Sequence, residues 1–149
     1  MNFMDWKKEA ATTLRDYPAR KSGIDRVLEQ LEQVAADMTR IRSAAADSIP
    51  VSGGGGNRQE DALVGQIMKK GELEKCLASA RAWCSTVDKA LEVLTPKERR
   101  ILDLMYVHRA RGNVELLCEE LHVEKSRMYE LKDDAMRRFT LALYGCLDT

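Results

Sequence analysis

The sequence is poor in the residue types on which several classes of function depend. Of its 149 residues only two are histidine, three are proline and 5% are aromatic. No apolar run approaches the roughly 20 residues of a membrane-spanning helix, and residues 1–10 lack the apolar segment of a signal peptide. We therefore expect a cytoplasmic protein with no membrane association.

A catalytic or metal centre is not indicated either. Neither histidine pairs with a carboxylate in a cleft-like context, and no nucleophile motif occurs. The four cysteines, at positions 76, 84, 118 and 146, share no metal-site spacing. Cys118 and His122 lie four residues apart and could share a metal, but no further ligands converge on them, so a buried cysteine is the better interpretation. We expect a non-enzyme that uses no cofactor.

Two long runs of apolar residues, each spaced at three and four, dominate the first two thirds of the chain. This spacing predicts α-helices with one apolar face each. The first run comprises Ile24, Val27, Leu31, Val34, Met38, Ile41 and Ala45. The second comprises Leu73, Leu77, Ala80, Cys84, Val87, Leu91 and Leu94, with Leu63 and Ile67 extending its face. A shorter helix around residues 6–17 should end before Pro18 and pack on this pair.

A glycine-rich connection, predicted to be flexible over about residues 49–59, separates the two runs and lets the helices fold back antiparallel. Its four consecutive glycines could indicate a phosphate-binding loop, but no Gly-Lys-Ser/Thr sequence follows, so a linker is favoured. The two apolar faces could pair within one chain as a hairpin or between chains as a dimerising coiled coil. We prefer the hairpin because it requires no partner chain. Dimers formed by two such hairpins remain an alternative.

The last third of the chain predicts three further helices. Thr95, Pro96 and Glu98 combine a capping hydroxyl, a proline at the first helical position and a capping-box glutamate, so a helix should begin here. After the basic loop 108–113, Asn113 is the expected cap of a short helix over residues 114–121. His122 and Val123 then form a tight turn into a helix from Glu124 onward. Its apolar stripe consists of Met128, Leu131, Ala135, Met136 and Phe139.

Two short helices joined by so few residues are typical of a helix-turn-helix, whose second helix enters the major groove of DNA. On that second helix, Lys125, Ser126 and Tyr129 are predicted to face base edges, and Glu130 could accept from a cytosine amino group. Cations near this face would hold phosphates. These are Arg127, Lys132, Arg109 and Arg111.

The segment from Leu94 to Phe139 resembles region four of bacterial sigma factors. Matches in the leading helix are Leu94, Glu98, Arg99, Ile101, Leu102 and Tyr106, and the apolar skeleton matches at Val114, Leu117, Leu121, Val123, Met128, Leu131, Ala135 and Met136. The whole chain is similar to the small sigma-like regulators of phages and prophages of the ArpU and RinA type. Composition favours an all-α protein, and the apolar spacing predicts an N-terminal antiparallel helical hairpin (residues 1–94). The resemblance implies a C-terminal region-four-like helix-turn-helix domain (residues 95–149).

The resemblance further implies a sequence-specific transcriptional regulator of phage or prophage genes, acting on double-stranded DNA in a bacterial host cell. The hairpin would supply a contact to RNA polymerase or to a second copy of the chain. Residues 95–149 contain ten Lys plus Arg and ten Asp plus Glu, so we expect few phosphate contacts and modest affinity. The alternatives are a protein-binding phage adaptor or inhibitor that uses the hairpin, and a phage packaging subunit.

Overall fold

A computed structural model describes residues 5–47 and 56–145. All regular structure in these ranges is helical, which confirms the all-α prediction. The helices are α1 (Trp6–Asp47), α2 (Gly56–Glu92), α3 (Pro96–Leu102), α4 (Asn113–Leu121) and α5 (Lys125–Tyr144), and a π-helical turn over Asp103–Val107 continues α3.

Helix α1 passes through Pro18 without interruption. The prediction that an N-terminal helix ends before this proline was therefore wrong. Proline removes one helical N–H and crowds the preceding turn, which weakens a helix locally. Leu14 and Tyr17 in that turn are buried against other helices, and this packing offsets the local cost. Tertiary contacts here outweigh a strong local signal.

The predicted flexible connection over residues 49–59 is shorter than expected at its C-terminal end. Helix α2 begins at Gly56, so residues 56–59 are helical. Residues 48–55, which include three of the four consecutive glycines, lie outside the described residues. The linker interpretation thus concerns a segment of at most eight residues between α1 and α2.

Contacts group the chain into two units: residues 1–21 with 82–149, here called the terminal unit, and residues 22–81, here called the middle unit. The predicted boundary between residues 94 and 95 falls inside the terminal unit. The main cluster of the terminal unit brings together residues from α1, α2, α3 and α5. Its buried members are Ala10, Ala11, Leu14, Tyr17, Val87, Ala90, Leu94, Leu102, Ala135, Met136 and Phe139.

The middle unit buries few apolar side chains. Within residues 22–81, the described side chains that are buried are Val34, Met38 and Leu77. The other predicted apolar positions on α1, such as Ile24, Val27 and Leu31, are half-buried. Ile67, predicted to extend the buried face of α2, is instead 49% exposed, so that assignment was wrong.

Candidate nucleic-acid interface

The three C-terminal helices share a small apolar core of their own. Ile101, Leu104, Leu117 and Met128 are buried in one cluster, which joins α3 and its π-helical continuation to α4 and α5. Half-buried residues complete the cluster, namely Met105, Ala110, Val114, Cys118, Leu121, Val123 and Leu131. Burial of one side of α4 and α5 fixes which of their side chains face solvent.

The capping box at the start of α3 is present as predicted. The Thr95 hydroxyl accepts from the backbone N–H of Glu98 at 3.2 Å, and the Thr95 N–H donates to the Glu98 carboxylate at 3.1 Å. The two backbone N–H groups, of Thr95 and Glu98, would otherwise lack hydrogen-bond partners at the start of the helix. This box sets the first residue of α3 and hence the phase of its buried residues Ile101 and Leu102.

The start of α4 differs from the prediction that Asn113 caps it. Gly112 is the residue that precedes the helix, at φ 71°, and Asn113 is the first residue within it. The left-handed backbone at position 112 favours glycine. The Asn113 side-chain amide donates instead to the backbone carbonyl of Leu104 at 3.1 Å, so Asn113 joins α4 to the π-helical turn.

The connection between α4 and α5 consists of His122, Val123 and Glu124. His122 adopts a left-handed conformation at φ 55°, and the N–H of Val123 donates to the carbonyl of Cys118 at 3.1 Å. Glu124 precedes α5 without a side-chain hydrogen bond to the helix. The turn falls where the sequence predicts it, although a histidine occupies a backbone position that usually favours glycine.

The first two turns of α5 expose the residues that the sequence selects for base contacts. Lys125, Ser126 and Tyr129 are exposed, whereas Met128 is completely buried beneath them. Lys125 and Tyr129 lie one turn apart, so their side chains share one edge of the helix. No hydrogen bond or ion pair involves Lys125 or Ser126 within the described part of the chain.

Other candidate residues on α5 already have partners. Arg127 donates to Glu130 at 2.9 Å in an exposed ion pair, and the ammonium of Lys132 lies 5.5 Å from the centre of the Tyr129 ring. Lys132 is also 4.0 Å from the Asp133 carboxylate. An exposed pair such as Arg127–Glu130 contributes at most about 1 kcal/mol, so a phosphate or a base can displace it.

Arg109 and Arg111 are exposed in the segment between the π-helical turn and α4. Among the described residues, neither forms an ion pair or a ring contact. In the part of the chain that the structure describes, no hydrogen bond or ion pair links them to the candidate residues on α5. The structure thus brings the α5 candidates together on one helix and leaves these two arginines as a separate exposed pair.

The structure also contains two ion pairs that no sequence pattern indicates. Arg100 on α3 donates to both carboxylate oxygens of Glu120 on α4, at 2.8 and 3.1 Å. These hydrogen bonds lower the pKa of Glu120 and raise that of Arg100. Arg138 on α5 donates to Glu98 on α3 at 3.3 Å. Both pairs join residues at least 20 positions apart, so helix periodicity could not reveal them.

Over residues 5–47 and 56–145, no group of three His, Cys, Asp or Glu side chains is placed to hold a metal ion. In the same ranges no helix is both long and apolar enough to span a bilayer. Comparison of the chain with family models, curated proteins and solved structures finds no match. The residues and their geometry are therefore the grounds for any functional assignment.

Proposed function

We propose that this protein binds double-stranded DNA through α4 and α5, used as a helix-turn-helix with α5 as the recognition helix. One observation carries the proposal: the first two turns of α5 expose Lys125, Ser126 and Tyr129, while Met128 in the same segment is fully buried. A recognition helix needs such a division, because one side must stay fixed to the protein while the other enters the groove.

In this proposal Lys125, Ser126 and Tyr129 contact base edges, and Glu130 accepts from a cytosine amino group after leaving Arg127. Arg127, released from the same ion pair, and Lys132 contact phosphates on either side of the groove. Arg109 and Arg111 contact the backbone from the segment before α4, and so set the register of the protein on DNA.

The balance of basic and acidic residues in the C-terminal domain favours a low intrinsic affinity for DNA. The domain from residue 95 to 149 carries equal numbers of basic and acidic residues, so attraction to DNA depends on a few local cations. We propose that α1 and α2 form an antiparallel hairpin whose contact to RNA polymerase, or to a second copy, raises the effective concentration at the site. In this role the protein regulates transcription of phage or prophage genes.

A salt-dependent mobility-shift assay on the full chain tests DNA binding directly. Duplex fragments from the source genome are first selected for binding and then titrated at several salt concentrations. Four phosphate-contacting cations predict a slope of about −3 to −4 in log affinity against log salt. Absence of salt-sensitive duplex binding at any protein concentration would contradict the proposal.

The second candidate function is a protein-binding adaptor or inhibitor, and the same charge balance favours it. A surface without net positive charge is better suited to a protein partner than to DNA. This candidate predicts no duplex binding and a stable complex between the full chain and one host protein. Recovery of that complex by pull-down, with the shift assay silent, would favour the adaptor over the DNA-binding regulator.

A further inference from the structure

Helix α2 carries an exposed apolar stripe on the side facing away from its buried residues. Val64 is 54% exposed, Ile67 49% and Met68 64%. They lie at positions i, i+3 and i+4 and therefore form one patch on a helix. Buried Leu77 and half-buried Leu73 belong to a different face by the same periodicity. Among the described residues, nothing buries this patch.

The stripe ends in charges of opposite sign. Continuing at spacings of three and four, it runs through Glu60, Val64, Met68, Gly71 and Lys75. Glu60 and Lys75 are exposed, and neither forms an ion pair within the described chain. The midpoint of the stripe lies between Ile67 and Met68, so the acidic and basic ends are equally far from the centre.

We infer that this stripe is a self-association surface on which α2 of a second copy lies antiparallel. A two-fold axis at the midpoint places Glu60 against Lys75 of the second copy at both ends, and Ile67 against Met68 in the centre. Val64 meets Gly71 of the second copy. A side chain at Gly71 would touch nothing in its own chain, so the open space there can accept the valine.

The small core of the middle unit favours an additional apolar contact on this stripe, and the charges at its ends favour a second copy as the partner. Among the described residues of this unit only Val34, Met38 and Leu77 are buried, so it has a small core for its length. Pairing residues 60–75 along roughly 24 Å of helix adds an apolar layer to it. The opposite charges of Glu60 and Lys75 at the two ends of the stripe are complementary to those of an antiparallel second copy. A lipid surface or an unrelated helix does not require this arrangement of charge. This inference does not depend on DNA binding, because assembly is measured without DNA.

Sedimentation of the full chain at about 10–500 μM tests the assembly. The unmodified protein is expected to form dimers within this range. Met68→Lys places a charge at the centre and should weaken association at least tenfold. Ala62→Lys adds the same charge at an exposed position outside the stripe and should leave association unchanged, while circular dichroism checks that both variants stay helical.

A charge exchange tests the antiparallel register. Glu60→Lys and Lys75→Glu each create two like-charged contacts and should weaken the dimer about tenfold, and the double variant should return it to within about threefold of the original. A monomer at every concentration would overturn the inference, as would a dimer that Met68→Lys does not weaken. Failure of the double variant to restore association would overturn the proposed pairing.

Discussion

The terminal and middle units share the same helical periodicity but differ in how completely they bury it. The terminal unit contains Leu14, Leu102 and Phe139, each with no exposed surface. In the middle unit, residues at equivalent helical spacing such as Ile24 and Leu31 stay half-exposed. The terminal unit packs residues from four helices around one cluster, whereas the middle unit contains segments of only two. Apolar periodicity therefore predicts a helical face, and the number of neighbouring helices decides whether that face is buried.

The largest expected difference between the units is in the cost of core truncation. Phe139→Ala removes a fully buried ring and should lower the free energy of unfolding by about 3–5 kcal/mol. Leu31→Ala, at a half-buried position of the middle unit, should cost about 1–2 kcal/mol because part of the side chain is already in water. Urea unfolding followed by circular dichroism measures both, and equal losses would erase the distinction between the units.

A partly buried polar contact between α1 and α2 should give the next largest effect on stability. The hydroxyl of Tyr17 donates to the carboxylate of Asp88 and accepts from Lys21 at 3.3 Å. Burial, followed by the hydrogen bond to Asp88, raises the pKa of Tyr17. Tyr17→Phe should cost about 1–3 kcal/mol, since it removes a hydrogen bond to a charged group.

Tyr106→Phe is the matched control, because the hydroxyl of this half-buried tyrosine forms no hydrogen bond within the described residues. It should change stability by less than about 0.5 kcal/mol. A similar loss in both variants would show that ring packing, and not the contact with Asp88, accounts for the effect of Tyr17→Phe.

Glycine substitutions should have opposite signs in the two units. Gly112 has φ 71°, so Gly112→Ala forces a strained backbone and should destabilise by about 1 kcal/mol. Gly23 lies within α1, and a side chain added there meets nothing. Gly23→Ala should therefore stabilise by about 0.5–1 kcal/mol. Thermal melts compare the two, and a change of the same sign in both would contradict the assigned backbone conformations.

The smallest expected effect is the pH dependence of the Arg100–Glu120 pair. The pKa of Glu120 is lowered below its ordinary value of 4.5 by the hydrogen bonds from Arg100. The contribution of this pair is then fully present above pH 4.5 and is lost as pH falls through the lowered value. Glu120→Gln should be slightly less stable than the unmodified protein at pH 7, and the difference should shrink as pH falls below 4.5. A difference that stays constant as pH falls would mean that the charge of Glu120 is not responsible.

Local signals predicted the C-terminal helices well. The capping box of Thr95 and Glu98 is present, and Met128, Ala135, Met136 and Phe139 are buried as their spacing predicts. These features depend on residues within a few positions of one another, so the local sequence pattern is sufficient to predict them.

Features that depend on distant residues were missed. Helix α1 passes through Pro18 because Leu14 and Tyr17 pack against residues more than 60 positions away. Ile67 is exposed although it fits an apolar repeat, and the contact of Arg100 with Glu120 depends on how α3 and α4 pack. Of the candidate site, periodicity correctly predicted that Lys125, Ser126, Tyr129 and Glu130 are exposed, whereas Lys132 is half-buried. It could not predict that Glu130 pairs with Arg127, since several helical partners were available to each.

DNA binding by the double variant Lys125→Ala/Tyr129→Ala tests the central proposal most directly. The assay uses a duplex selected by the unmodified protein, at fixed salt, with Lys69→Ala as a control that removes an exposed lysine from α2. If α5 reads DNA, the double variant loses at least tenfold in affinity for the selected duplex while its helicity is unchanged and the control binds normally. Unchanged affinity of a fully helical double variant would contradict the proposal.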